Sequence, residues 1–225
     1  KLLVHGGGKV ASSISRRLGI EPKMIEGRRV TDAATLDIVT MVYAGLINKQ
    51  IVAKLQAKDC AAIGLSGADG NLIKAHKRKH ASIDYGFVGD IDRVDKNVIL
   101  TLLEEGFVPI VCALTHDKKG NMLNTNADTI ANALAIAMSR KMAVNLYYIF
   151  EKNGVLLNPE DEHSLIPQLD QIDYASYKEE GIISDGMIPK LDNAFHALQK
   201  GVEKVVIGSP KLIADFSSPC TLLSK

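Results

Sequence analysis

Cysteine is scarce in this chain, and the little there is lies apart. Cys60, Cys112 and Cys220 form no CxxC pair. That argues against a disulfide scaffold and a thiolate zinc site, and points to a reducing compartment. Cys112 sits in the apolar run FVPIVCAL (107–114), which reads as a small buried hydrophobe. Net charge is nearly absent as well: 27 basic against 26 acidic side chains leave +1. The molecule has no global attraction for nucleic acid or a membrane surface, so any anion site must be local. No apolar run approaches the roughly 20 residues of a membrane span. No signal-peptide pattern, internal repeat, low-complexity tract or coiled-coil heptad occurs. The first residue is Lys1 rather than Met and a strand follows almost at once, so further sequence is expected upstream.

What is present is an ordinary mixture, 225 residues at 46% hydrophobic, enough for one large α/β domain or two lobes. Short apolar runs alternate with helical stretches. KLLVH (1–5), CAAIGL (60–65), FVPIVCAL, VNLYYIF (144–150) and KVVIG (204–208) read as strands. Helices are expected over 9–18, over 31–58 with Thr31 as cap, from Asp95 or Asn97 to Glu105, over 126–139 and over 187–200. Phe87 to Asp90 reads as a short extended piece. HDKKGNML (116–123) reads as a hairpin turn, and TLLS (221–224) as a last edge strand. The alternation favours a mostly parallel sheet covered on both faces. The best division into lobes falls near the hairpin, giving 1–120 and 121–225. The tail SPKLIADFSSPCTLLSK after Gly208 receives no function.

Gly6, Gly7 and Gly8 stand where the first strand gives way to a helix. Ligands of open α/β sheets bind at the carboxyl ends of strands, and a helix N-terminus presents unpaired N–H groups with a partial positive charge. The loop fits neither GxxxxGK[ST] nor GxGxxG. A tight turn needs one glycine; three favour close approach of a phosphate to the backbone.

Three further clusters carry polar chemistry. RRVTD (28–32) places two arginines before a helix, where a guanidinium could fork a carboxylate or simply be solvated. In MLNTNADT (122–129), capping accounts for Asn126 and the helix dipole for Asp128, but neither accounts for Asn124, which could contact substrate. In SDGMIPKL (184–191), Lys190 lies near the positive end of a helix, which suggests an anion nearby. Amides, a lysine, an aspartate and arginines near strand ends are the inventory of phosphoryl transfer.

HGGGK, GRRVTD, GLSGADG (64–70), FVGD (87–90), LNTNAD (123–128) and DGMIPKL (185–191) resemble, in that order, the motifs of the acetylglutamate kinases, within the amino acid kinase family. The resemblance runs from residue 2 to about 208; LNTNAD and GMIPK are its specific parts, while HGGG is shared across the family. It implies a three-layer α/β/α sandwich around a mainly parallel central sheet, working as a cytoplasmic homodimer in arginine biosynthesis. The amino-terminal lobe would hold N-acetylglutamate or a related N-acylglutamate, and the carboxyl-terminal lobe ATP with Mg²⁺. The γ-phosphoryl would pass to the side-chain carboxylate, giving an acyl phosphate. By position, Gly7 and Gly8 would donate amides to the moving phosphoryl, Arg29 would clamp the α-carboxylate, and Asn124 would bind the acylated end. Lys190 would stabilise charge on the ATP side, Asp128 would hold the catalytic lysines, and Gly154 would lie in the turn near the nucleotide.

Two departures from the family pattern stand out. Its opening K-x-G-G segment, with a lysine for the phosphoryl group, is not among these residues. Where relatives often carry an aspartate-containing turn, this chain has Phe150-Glu151-Lys152-Asn153-Gly154. Other family activities, on carbamate or glutamate, and a ligand-sensing domain without catalysis are the competing readings. Arg29 with Asn124 argues against the first group, and Lys190 with Asp128 against the second. His5 reads as structural.

Overall fold

A computed structural model describes residues 1–25, 28–183 and 186–224. The chain divides into two compact units, Lys1–Ile130 and Ala131–Lys225. The division expected at 120/121 falls inside a hairpin loop of the first unit.

In chain order the first unit contains β1 (Leu3–His5), α1 (Gly8–Arg17), β2 (Met24–Ile25), β3 (Arg28–Arg29), α2 (Ala33–Thr40), a π-helical segment (Met41–Ile47) and α3 (Asn48–Gln56). There follow β4 (Ala62–Leu65), β5 (Ile73–Lys77), β6 (Gly89–Val94), α4 (Lys96–Glu104), β7 (Val108–Cys112), β8 (Leu114–His116) and β9 (Met122–Asn124). Helix α5 (Ala127–Ser139) begins here and continues into the second unit.

Strands β1, β7 and β4 form a parallel sheet with β7 central. Its run VPIVC suits that place: Ile110, Val111 and Cys112 are wholly buried, as a strand covered on both faces demands. Burying an Ile or Val side chain is worth about 1.5–3 kcal/mol. Pro109 is tolerated because β1 pairs only from Ile110 onward, beyond the position that lacks an N–H. Burial pushes the Cys112 thiol up to about 12, so it packs as a hydrophobe and stays protonated.

Strands β6, β5, β8 and β9 form a second, mixed sheet. The 116–123 hairpin is its β8–β9 pair. The β5–β6 pair is longer than the short extended piece expected near residue 87; its polar side chains hide the strand pattern.

Helix 31–58 also differs from expectation. Its cap is Asp32, whose Oδ1 accepts from the Thr35 N–H at 2.8 Å, while Thr31 lies outside the helix and is wholly buried. From Ala33 to Gln56 the helical stretch is long and apolar enough, by length and composition, to cross a membrane. Here Ile38, Val39, Val42 and Tyr43 pack into the unit's core with Ala11 and Leu114. The helix over 96–104 opens on Asp95, whose Oδ1 accepts from Asn97 N, and stops at Gly106 in the left-handed region, φ 81.

The second unit contains β10 (Asn145–Ile149), β11 (Gln168–Leu169), α6 (Gln171–Glu179), α7 (Met187–Gln199), β12 (Lys204–Gly208), α8 (Lys211–Ala214) and β13 (Cys220–Leu223). Its sheet has the order β10-β12-β13-β11. The expected edge strand at 221–224 is therefore an inner one, antiparallel to β12 and parallel to β11. Leu191, Ala194 and Ala197 of α7, with Leu169, Val205 and Ile207, form the core. The architecture is α/β, with one wholly parallel sheet among mixed ones.

Candidate active site

One cleft in the first unit, about 230 Å³, gathers most of the polar residues singled out in the sequence. Gly6–Gly8 line it together with Arg29, Tyr43 and Asn124. Two helices start at its edge, α1 at Gly8 and α5 at Ala127.

The three glycines have different reasons to be glycine. A Cβ on Gly7 would lie 2.5 Å from Ile47 Cδ1 and 2.9 Å from Tyr43 Cδ1, so packing against the π-helical segment forbids a side chain. At Gly6 and Gly8 the nearest atoms would be Ala127 Cβ at 3.6 Å and Arg29 Nη2 at 3.9 Å, ordinary contact distances. Neither residue lies in the left-handed region. Neither packing nor conformation requires glycine there; what a side chain would take up is cleft space.

Helix α1 has no side-chain cap and no acidic residue in its first turn. Its first internal bond is Ala11 N–H to Gly7 O, 2.9 Å. Helix α5 is capped by Asn126, whose Oδ1 accepts from Thr129 N at 3.1 Å. Of the two helix starts, α1 is the one left without a side-chain acceptor for an anion to replace.

Arg29 is 8% exposed. Its Nη2 donates to Gly8 O at 3.0 Å and to Ser12 Oγ at 2.6 Å, tying the guanidinium to the first turns of α1. Its Nη1 is buried and has no hydrogen-bond partner among the described residues. Among the described residues no carboxylate forms an ion pair with it. An unmet donor on a buried group costs about 1–3 kcal/mol, a cost that a carboxylate drawn against this guanidinium would lower. Burial pushes the Tyr43 hydroxyl up, and the charge of Arg29 together with a close side-chain contact to Arg29 pulls it partly back.

Asn124 is also 8% exposed. Its Nδ2 donates to Thr31 Oγ1 at 3.0 Å, and among the described residues no hydrogen bond is seen to its Oδ1. That leaves an amide oxygen able to accept an N–H. His5 is held as structure: its Nδ1 donates to Gly6 O at 2.8 Å, while its Nε2 receives Asn48 Nδ2 at 3.1 Å. Asn48 donates also to Ile110 O, so the ring fixes the glycine loop to the central strand in its neutral form, and burial lowers its pKa.

Gly7, Gly8, Arg29 and Asn124 thus share one cleft. Asp128 is the second residue of α5, whose first residue lines that cleft. Lys190 and Gly154 belong to the second unit. Lys190 is half-buried in the first turn of α7, its Nζ 4.9 Å from the Tyr148 ring centroid. The ring face offsets some of the dipole's repulsion. Ser184 and Asp185, the start of the SDGMIPKL cluster, lie outside the described residues. Gly154 is wholly enclosed: a Cβ would meet Thr221 Oγ1 at 2.5 Å and Leu165 Cδ1 at 2.6 Å. No group of three or more His, Cys, Asp or Glu able to hold a metal occurs among the described residues.

Sequence reasoning missed Tyr43, Ser12 and Thr31. Tyr43 follows the helical spacing of core residues, and Thr31 reads as a cap; only the extra backbone turn at 41–47 and the burial of Thr31 reveal them.

Residues 1–209 match the amino acid kinase family. The chain is 54% identical over 207 residues to the acetylglutamate kinase of Parabacteroides distasonis, covering 92% of this chain and 81% of that one. It is 56% identical over 208 residues to the acetylglutamate kinase of Cytophaga hutchinsonii, covering 92% and 79%. Among solved structures, smu.665 of Streptococcus mutans superposes with a TM-score of 0.85 at 28% identity, covering 99% of this chain and 85% of that one. With the family matching nearly the whole length, this chain belongs to the amino acid kinase family.

Proposed function

We propose that this protein is an acetylglutamate kinase of arginine biosynthesis, passing the γ-phosphoryl of ATP to the side-chain carboxylate of N-acetylglutamate. The carrying observation is Arg29: a buried guanidinium with an unpaired Nη1, fastened to an uncapped helix start in a cleft lined by glycine. The relatives that bear this name support the choice of substrate.

In this reading Arg29 holds the α-carboxylate. Asn124 Oδ1 accepts the N–H of the acylated amine. The backbone of Gly7 and Gly8 receives the phosphoryl group. The acceptor carboxylate is ionised near neutral pH, so no general base is needed. Positioning and neutralisation of charge do the work, as in phosphoryl transfer generally.

ATP belongs to the second unit, where Lys190 neutralises charge that develops on its phosphates; Asp128, in the first unit, keeps the role of holding catalytic lysine that the resemblance implies. Gly154 contributes by letting its turn pack closely enough to shape the nucleotide's surroundings. Mg²⁺ would arrive on the ATP phosphates with its waters, a mode that needs few protein carboxylates. The enzyme acts in the cytoplasm as a homodimer, as the resemblance implies.

The test is to incubate full-length protein with ATP, Mg²⁺ and N-acetylglutamate and trap product with hydroxylamine. Hydroxamate formed in step with ADP is expected. ADP without hydroxamate, or neither, would overturn the assignment.

A further inference from the structure

Thr31 is wholly buried, yet its hydroxyl is fully committed. Oγ1 donates to Arg29 O at 3.0 Å. A carbonyl cannot donate, so the proton is used there and only lone pairs remain. The group at 3.0 Å on the other side must therefore be the NH₂ of Asn124, not its oxygen. A flipped amide would set oxygen against oxygen with no proton between them.

The frame around this contact leaves little freedom elsewhere. Thr31 N–H donates to Tyr85 O at 3.0 Å, and Phe87 N–H donates to Thr31 O at 2.7 Å. Gly86 crosses so near that a Cβ would lie 2.2 Å from Thr31 O. Asn124 N–H donates to Phe87 O at 2.8 Å, strapping the second partner to the same segment. With both main chains pinned, the side-chain amide of Asn124 is the part free to turn, and Thr31 decides how it faces. The same hydroxyl holds the carbonyl of Arg29, whose guanidinium reaches Gly8 O and Ser12 Oγ.

We infer that Thr31 is a positioning and specificity residue: its hydroxyl locks the Asn124 amide with oxygen available as an acceptor, so that the cleft selects a substrate carrying an N–H on its acylated nitrogen. This rests on the acetylglutamate kinase reading above. Thr31 itself touches no reacting atom.

The test is a cycle on full-length protein. Thr31→Val keeps the shape and removes both hydrogen bonds. It should raise the KM for N-acetylglutamate about tenfold, the worth of one hydrogen bond, with kcat and the KM for ATP within about threefold. Thr31→Ser should restore the wild-type KM. With Asn124→Ala already in place, Thr31→Val should change the KM less than about threefold, because only its bond to Arg29 O is left to lose. A lower melting temperature and kcat with unchanged KM would show a merely structural role and overturn the inference. So would effects of Thr31→Val and Asn124→Ala that simply add. Should Thr31→Val not fold, Thr31→Ala takes its place; equal KM values for the Ala and Ser variants overturn the proposal. Wild-type protein that does not turn over N-acetylglutamate defeats the functional reading itself, a different result from wild-type turnover with an indifferent Thr31.

Discussion

At Gly8 a methyl group would meet nothing nearer than Arg29 Nη2 at 3.9 Å, whereas at Gly154 it would lie 2.5 Å from Thr221 Oγ1. Both positions follow a strand and both read in sequence as ligand turns. The first keeps space open beside an uncapped helix start and a buried cation. The second lets the turn at Gly154 pack against β13. The units differ correspondingly in how they present positive charge. The first offers main-chain N–H groups and a fixed guanidinium with a spare donor, and the second a half-buried Lys190 resting on Tyr148. A glycine in a loop is thus no evidence of ligand approach until its surroundings are known.

Substitutions can sharpen or break this contrast. The largest effect is expected at Lys190. Lys190→Ala should lower kcat about 100-fold or more with a much smaller change in the KM for N-acetylglutamate; steady-state kinetics showing unchanged turnover would remove it from the reaction. Next comes Gly8→Ala, whose methyl group displaces whatever approaches the loop. A loss of about 100-fold in kcat/KM is expected for an ångström of misplacement, with a melting temperature equal to or above wild type. Full activity would make that open space incidental. Gly154→Ala should do the reverse and destabilise by about 1–3 kcal/mol through overpacking, while folded enzyme keeps its KM for N-acetylglutamate. Urea unfolding that shows no loss would break the comparison.

The smallest effect concerns His5. Burial lowers its pKa below the ordinary 6.5, so the folded state holds the neutral ring. The unfolded chain then binds the proton first as pH falls, and the contribution of His5 is complete above about 6.5 and fades below it. His5→Asn, which keeps a donor toward Gly6 O, should flatten the decline in stability between pH 7 and pH 5. Parallel declines in the two proteins would show that another group titrates.

Much of this was legible in the chain. Local chemistry announces itself: Asn126 and Asp95 cap as their types suggest, Gly106 stops its helix, and VPIVC is too apolar to be anything but central. The glycine loop read as an anion site from its residue types, whereas Arg28 and Arg29 read equally well as a carboxylate fork or as solvated charge. Long-range pairing does not announce itself. Nothing in CTLL reveals that it inserts between β12 and β11, and β5–β6 hides behind polar side chains. The π-helical segment has the spacing of a helix, so the turn that carries Tyr43 to the cleft is invisible in periodicity. Thr31 was misread because a buried threonine and a capping threonine look alike one residue before Asp32.

Arg29 bears the central claim, and calorimetric titration of N-acetylglutamate into full-length wild-type and Arg29→Ala protein tests it most directly. Loss of a charged, bidentate-capable partner should weaken binding about 100-fold. Affinities within twofold of each other would contradict the account.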